Sequence, residues 1–425
     1  MLLDQKSSSS IYDVIVIGGG PAGSTVANLL AHAGKRVLLF EKASFPRFHI
    51  GESLLPYNHS IFEELGVLEE LNSDAFVSKV GAQIGLWNGN KVTKFVFTNS
   101  PFTEFTSSWQ VQRSHFDQVL LKQAASRGAD VCENCEIMAW TILPENVSVK
   151  TRGGDTYTAR YLVDASGTNN FTGNREKLKT LNPHLQKIAV FTHFSGVPEL
   201  PGSEAGDTLI FRHPQAWFWA IPLGNQKCSV GVVFDKSLLK KTKLSPEELF
   251  QTFVNESPAL KVRLQDAEPT MPLRTIVDFS YTNKRLVSER LIRIGDAAGF
   301  VDPIFSSGVY LAMFMGKAAA QALLKTLEKN NPPLSSEMLA YEKSVRRNIK
   351  IFHDLIVDFY RPEFFDLLLY TESKSKIPSA LNALFAGRLD QTWPVRWRIQ
   401  AFRLLVRIQK YFPLVERLGL EQAKN

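Results

Sequence analysis

The sequence predicts an α/β fold in which a parallel sheet, assembled from separated pieces of the chain, carries an inserted antiparallel sheet and a helical C-terminal region. Three observations predict it. A β-branched run at 12–17 meets a glycine cluster and then apolar residues at helical spacing. Two later runs, 161–167 and 291–299, again pass from apolar strand residues into turns of small residues. Between them, 188–195, 208–212 and 228–234 alternate or run apolar with short turn-rich connections, the pattern of an antiparallel sheet. At 425 residues the chain exceeds one ordinary core, so two or three packed lobes are expected.

The first unit reads strand, turn, helix. Tyr12-Asp13-Val14-Ile15-Val16-Ile17 leads to Gly18-Gly19-Gly20-Pro21-Ala22-Gly23, after which Val26, Leu29 and Leu30 recur at helical spacing. A second apolar run at 37–40 ends at Glu41, 23 positions after Gly18. Together these form a dinucleotide-binding βαβ unit. Gly18, Gly20 and Gly23 permit a tight turn and close backbone approach, Pro21 and Ala22 open the helix that faces a pyrophosphate, and Glu41 binds ribose hydroxyls. From about residue 335 onward the pattern is helical, and there is no internal repeat or low-complexity tract.

Composition narrows the class. The 49 Lys and Arg against 42 Asp and Glu leave a formal charge of +7, too small and dispersed to imply nucleic acid but favourable to anionic small molecules or an acidic partner surface. Three cysteines argue for a reducing compartment. Cys132 and Cys135 spell a CxxC, but it lacks a second pair or histidines and falls in a predicted strand, so no metal or redox site is expected. Residues 1–10 lack the apolar core of a signal peptide, and the apolar stretch 299–316 is interrupted by Asp302, Pro303 and serines. A soluble, cytoplasmic protein without membrane contact is expected.

Four motifs, over about residues 12–325, make the chain resemble the flavin-dependent halogenases, within the FAD monooxygenases shaped like hydroxybenzoate hydroxylase. They are the glycine turn, the loop Phe45-Pro46-Arg47-Phe48-His49-Ile50-Gly51-Glu52-Ser53-Leu54-Leu55-Pro56, the WxWxIP string Trp217-Phe218-Trp219-Ala220-Ile221-Pro222, and Gly295-Asp296-Ala297-Ala298 continuing to Ser306-Ser307-Gly308. The resemblance implies a Rossmann-like FAD-binding domain of hydroxybenzoate-hydroxylase type in three pieces, 10–80, 111–180 and 281–332. Substrate-domain strands would lie at 81–110 and 181–280, with a helical region at 333–425. It extends the cofactor contacts to Lys42, Arg47, Ser53, Ile137, Asp296, Gly308 and Val309, and to Arg113, whose guanidinium suits the flavin diphosphate or ribityl edge.

Each role has a physical reason. Asp296 at a strand end can accept hydrogen bonds from ribityl hydroxyls. The amides of Ser307 and Gly308, at the start of a helix expected from about Gly308 through Ala320, make an anion site for chloride or bromide. Trp217 and Trp219 fall on one side of a strand and, with Ile221 and Pro222, would wall the flavin off from the organic substrate. The resemblance places the catalytic lysine at Lys79, inside a tunnel, where it would hold hypohalous acid as a hydrogen-bond donor or carry the halogen as a haloamine. It implies a two-component reaction in which a separate flavin reductase supplies reduced FAD. Halogenases of free tryptophan carry a glutamate where this chain has Phe305, which points instead to a phenol, a pyrrole or a carrier-bound acyl group. A reductase similar to geranylgeranyl reductases, an FAD hydroxylase, and an idle flavoprotein that docks through its C-terminus are the competing readings. The segment 393–418 is a basic amphipathic helix candidate bearing Arg396, Arg398, Arg403, Arg407, Lys410 and Arg417. It is expected to pack as a lid, to recruit an acidic carrier protein, or to meet an anionic membrane, in that order.

Overall fold

The strand Tyr12–Ile17 is apolar on both faces along Val14–Ile17, so it must be covered on both sides, as the middle strand of a parallel sheet is. In the computed structural model, which describes residues 11–329, 332–370, 376–389 and 392–420, it lies between Thr156–Asp164 and Val37–Phe40. Leu291–Arg293 extends the sheet on one side and Asp130–Cys132 on the other, all parallel. The register sets Ile17 beside both Phe40 and Asp164, and Asp164 beside Arg293, so four strand ends are level. The turns that follow them converge on one edge, where open α/β sheets bind their ligands. Cys132 closes its strand and Cys135 lies in the turn beyond, not in a strand, because the backbone there folds around Glu41: Glu41 N–H donates to the Cys132 carbonyl at 2.9 Å and Cys135 N–H to the Glu41 carbonyl at 2.9 Å.

The second large sheet runs in the order Glu268–Pro269, Lys187–Ser195, Lys227–Asp235, Ala216–Gly224, Thr208–Arg212, Gly81–Leu86, Val92–Val96. It is antiparallel except where Thr208–Arg212 pairs parallel with Gly81–Leu86. That pair is parallel because the chain leaves the sheet after 96, builds part of the parallel sheet, and re-enters in the same direction. Strand Ala216–Gly224 is buried on both faces. Trp217, Trp219 and Ile221 join the main core, whereas Phe218 and Ala220 join a second core roofed by helices Ser237–Thr242, Pro246–Glu256 and Pro258–Leu264.

Helix Ser307–Leu327 is longer than the sequence suggested, because Ala319, Ala320, Ala322, Leu323 and Leu327 continue its buried face. The C-terminal helices are Ser336–Phe359, Pro362–Leu368, Ile377–Phe385 and Trp393–Tyr411. The last stops at Tyr411 rather than near Leu418, since Pro413 cannot continue it.

Gly231 faces Trp219 across the sheet, and a Cβ there would sit 2.2 Å from the indole. Gly231→Ala should therefore displace Trp219, lower the urea midpoint by an amount equivalent to about 1–3 kcal/mol and shift the tryptophan emission. An unchanged midpoint and spectrum would show that the indole is not wedged against this strand.

Candidate active site

The converging turns and the Trp217 face of the second sheet enclose a cavity of ≈1030 Å³. Of the expected site residues it is lined by Gly18, Gly20, Pro21, Ala22, Glu41, Lys42, Arg47, Ser53, Arg113, Ile137, Trp217, Trp219, Ile221, Asp296, Gly308 and Val309. Four are not on its wall. Gly23 lies under the turn, where a Cβ would meet the Gly18 carbonyl oxygen at 1.9 Å, so it permits the turn rather than touching a ligand. Ser307 is the buried first residue of its helix. Pro222 does not join Trp217, Trp219 and Ile221: strand alternation turns it to the opposite face, beside Cys228 and Arg263. Lys79 lies behind the wall.

The glycine turn and the Glu41 region have the chemistry of an FAD site. Glu41, at the end of its strand, accepts from Gly19 N–H at 2.8 Å and Ala43 N–H at 2.9 Å, so its carboxylate is fixed at the turn. Gly20 opens onto the cavity, its nearest prospective neighbour being Arg47 Nη2 at 3.5 Å. The first amides of helix Pro21–His32 have no intrahelical acceptor and suit a pyrophosphate. Asp117, fully buried, binds Arg113 through both oxygens at 2.7 and 3.0 Å and Arg47 at 3.1 Å. Arg113 also donates to the Ile50 carbonyl at 2.7 Å, so its guanidinium is largely engaged in holding the 50–51 loop. Sequence reading assigned Arg113 to the cofactor and gave Asp117 no role, although the i,i+4 spacing on a helix signals the pair. Burial pushes the Asp296 carboxyl up to about 6, with Arg113 opposing, and pulls the His49 imidazole down to about 4. His193 meets Glu52, a second pair sequence reading missed, at 2.9 Å.

Lys79 is 2% exposed. Its Nζ donates to Ser53 Oγ at 2.8 Å and to the Leu54 carbonyl at 3.1 Å. Ser53 Oγ in turn shares a hydrogen with Thr208 Oγ1 at 2.9 Å, and Thr208 accepts from Gln110 Nε2 at 2.8 Å. Ser53 and Thr208 both line the cavity, so one hydroxyl separates the ammonium from it. Burial lowers Lys79 to about 7, with Asp207 offsetting part of the effect.

At the start of helix Ser307–Leu327 the chain turns sharply, with Ser306 in the left-handed region at φ +54°. Asp302 shapes this turn by accepting from Ile304 N–H at 3.0 Å. Tyr360, from the end of helix Ser336–Phe359, donates to Asp302 at 2.7 Å and accepts from Trp217 Nε1 at 2.9 Å. No local motif marks Tyr360; its partners are 58 and 143 positions away. Burial pushes Asp302 up to about 7. Phe305 packs between Phe359 and Phe385, at ring distances of 5.4 and 4.9 Å.

Comparisons with known proteins agree with this geometry. The tryptophan halogenase family model matches residues 13–100 and 89–366. The 1H-pyrrole-2-carbonyl-[peptidyl-carrier protein] chlorinase of Pseudomonas fluorescens is 34% identical, over 82% of this chain and 84% of its own. The corresponding brominase of Pseudoalteromonas luteoviolacea is 32% identical, over 83% and 87%. Among solved structures, the flavin-dependent brominase Bmp2 superimposes with a TM-score of 0.83 at 29% identity, covering 94% of this chain and all (100%) of that one. A flavoprotein/dehydrogenase from Cytophaga hutchinsonii gives 0.85 at 25% identity, over 94% and 99%. A family match across most of its length and one-third identity to two halogenases place the chain in the flavin-dependent halogenases, FAD enzymes that attach chloride or bromide to electron-rich substrates.

Proposed function

We propose that this halogenase acts on an electron-rich ring, a pyrrole tethered to a carrier protein before a free phenol, and that Lys79 presents the halogen to it. The observation that carries the role of Lys79 is its place: buried, one hydroxyl behind the cavity wall, with an ammonium brought near neutrality. Bound reduced FAD supplies the two electrons with which dioxygen converts halide to hypohalous acid. A separate reductase provides those electrons in the cytoplasm.

The remaining steps belong to the chain. The Gly308 amide at the cavity wall, with the Ser307 amide directly behind it, both freed by the turn at Ser306, holds the halide. Trp217, Trp219 and Ile221 keep the organic ring from the flavin. Ser53 connects Lys79 to the cavity. As an ammonium, Lys79 donates to the oxygen of hypohalous acid and makes the halogen more electrophilic. As an amine, it takes the halogen and releases water. Phe305 supports the substrate choice: an apolar ring packed among phenylalanines offers no carboxylate to a weakly activated indole, which pyrrole and phenol do not need. The identity to two carrier-protein pyrrole halogenases favours the tethered acceptor.

Lys79→Met keeps most of the side-chain volume and deletes the charge. Halogen incorporation should fall by at least about 100-fold while flavin loading and oxygen uptake persist. A fully active methionine variant would remove Lys79 from the mechanism. The same residue predicts a pH signature. Folded Lys79 loses its proton near 7 and the unfolded side chain near 10.5, so between these values the unfolded chain binds more protons and the folded state gains stability as pH rises. The stability of wild type relative to Lys79→Met should therefore climb from about pH 7 to about pH 9. A pH-independent difference in urea midpoints would mean that the lysine is not desolvated.

Tyr360→Phe keeps the ring and removes both hydrogen bonds, leaving Trp217 Nε1 and Asp302 short of a buried partner. A loss of about 1–3 kcal/mol in urea unfolding is expected. The fraction of consumed oxygen that appears as halogenated product should fall with it. Unchanged stability and coupling would make the tyrosine hydroxyl incidental.

A further inference from the structure

Helix Trp393–Tyr411 has two faces, and only one is explained by the fold. Val395, Ile399, Phe402, Val406 and Gln409 are buried against the preceding helices, and Phe402 meets Phe364 edge-on at 5.3 Å. Arg403, counted in the sequence as part of a basic surface, is drawn inward to Asp354 and Asp358. The opposite face shows Trp393, 75% exposed, Trp397, 40%, Leu404, 56%, and Tyr411, 71%, and Phe412 continues it at 70%. Trp393 and Trp397 lie 6.2 Å apart, so this is a joined patch rather than scattered apolar residues. Interleaved at helical spacing are Arg396, Arg407 and Lys410, all exposed and without a carboxylate partner among the described residues. The helix contains no Asp or Glu.

We infer that this stripe is the docking face for the acidic carrier protein that brings the substrate. Aromatic anchors rimmed by arginine are what protein interfaces concentrate at their centres, and a helix with three exposed cations, no carboxylate partner for them among the described residues and no Asp or Glu of its own selects a partner of opposite sign. The stripe runs the length of a 19-residue helix, roughly 28 Å, enough to seat a helix of a small acidic domain. The inward face of the same helix reaches the active site in two contacts: Arg403 grips Asp358, and Tyr360, two residues on, binds Asp302. The inference rests on the carrier-tethered reading above and adds to it the surface by which the tether arrives.

The test uses full-length, FAD-loaded protein with a reductase and halide, and two acceptors: a pyrrole-2-carbonyl peptidyl-carrier protein, and the same acyl group as its small N-acetylcysteamine thioester. Arg396→Glu with Arg407→Glu, and separately Trp393→Ser with Trp397→Ser, should raise KM for the carrier-bound acceptor about ten-fold or more. Turnover of the small thioester and oxygen uptake should be unchanged, and added salt should weaken wild type toward the charge-reversed variant. Equal KM for the carrier in wild type and both variants would overturn the docking face while leaving the carrier reading intact. A wild type that halogenates the small thioester but neither binds nor modifies the carrier would overturn both and leave the halogenase. If phosphatidylserine vesicles retain wild type but not the variants, with carrier KM unmoved, the stripe belongs to a membrane surface and the inference fails.

Discussion

Ala22 sits where three pieces of backbone meet at distances that only glycine allows. A Cβ on Gly23 would lie 1.9 Å from the Gly18 carbonyl oxygen, one on Gly316 would lie 2.7 Å from the Ala22 carbonyl oxygen, and one on Gly295 would lie 3.0 Å from the Ala22 Cβ. These approaches press helix Pro21–His32 down onto its turn and helix Ser307–Leu327 down onto helix Pro21–His32. The glycine turn, Asp296 and Gly308 are thereby brought to one cavity although nearly 300 residues of chain separate the first from the last. A methyl group at any of these positions would force the helix start and its neighbour apart.

The second sheet depends on a different constraint, since its central strand is apolar on both faces and must be covered twice. Period-two alternation assigns Trp217, Trp219 and Ile221 to the cavity, Phe218 and Ala220 to the small second core, and Pro222 to that same face beside Cys228 and Arg263. Lining the cavity and stabilising the inserted domain are tasks of the same nine residues, divided by parity. The WxWxIP string is therefore partly a packing signature.

What could be read in advance was local. The glycine turn, the acid at the end of the second strand and the helical C-terminus all declare themselves within short windows, because spacing and turn chemistry act over a few residues. What could not be read was contact across the fold. Lys79 was assigned to a tunnel on resemblance, but its burial behind Ser53 depends on how Thr208 and Gln110 arrive from other strands. Resemblance assigns Arg113 to the flavin edge, but the i,i+4 spacing alone does not say that a buried Asp117 claims two of its nitrogens. Arg403 and Arg407 look alike in sequence and share one flank of their helix, yet Arg403 is taken up by Asp354 and Asp358 while Arg407 stays exposed.

The hydrogen bonds of Tyr360 carry a consequence for how such enzymes can diversify. The hydroxyl belongs to the helical region, its acceptor Asp302 to the nucleotide-binding part and its donor Trp217 to the inserted sheet. A recombination event that swapped the C-terminal helices for those of a relative would import a new surface, and would leave Asp302 and the Trp217 indole N–H each short of a partner wherever the incoming helix lacked a hydroxyl at that one point. One shared oxygen atom thus makes the join between the exchanged segment and the rest of the chain a matter of a single position.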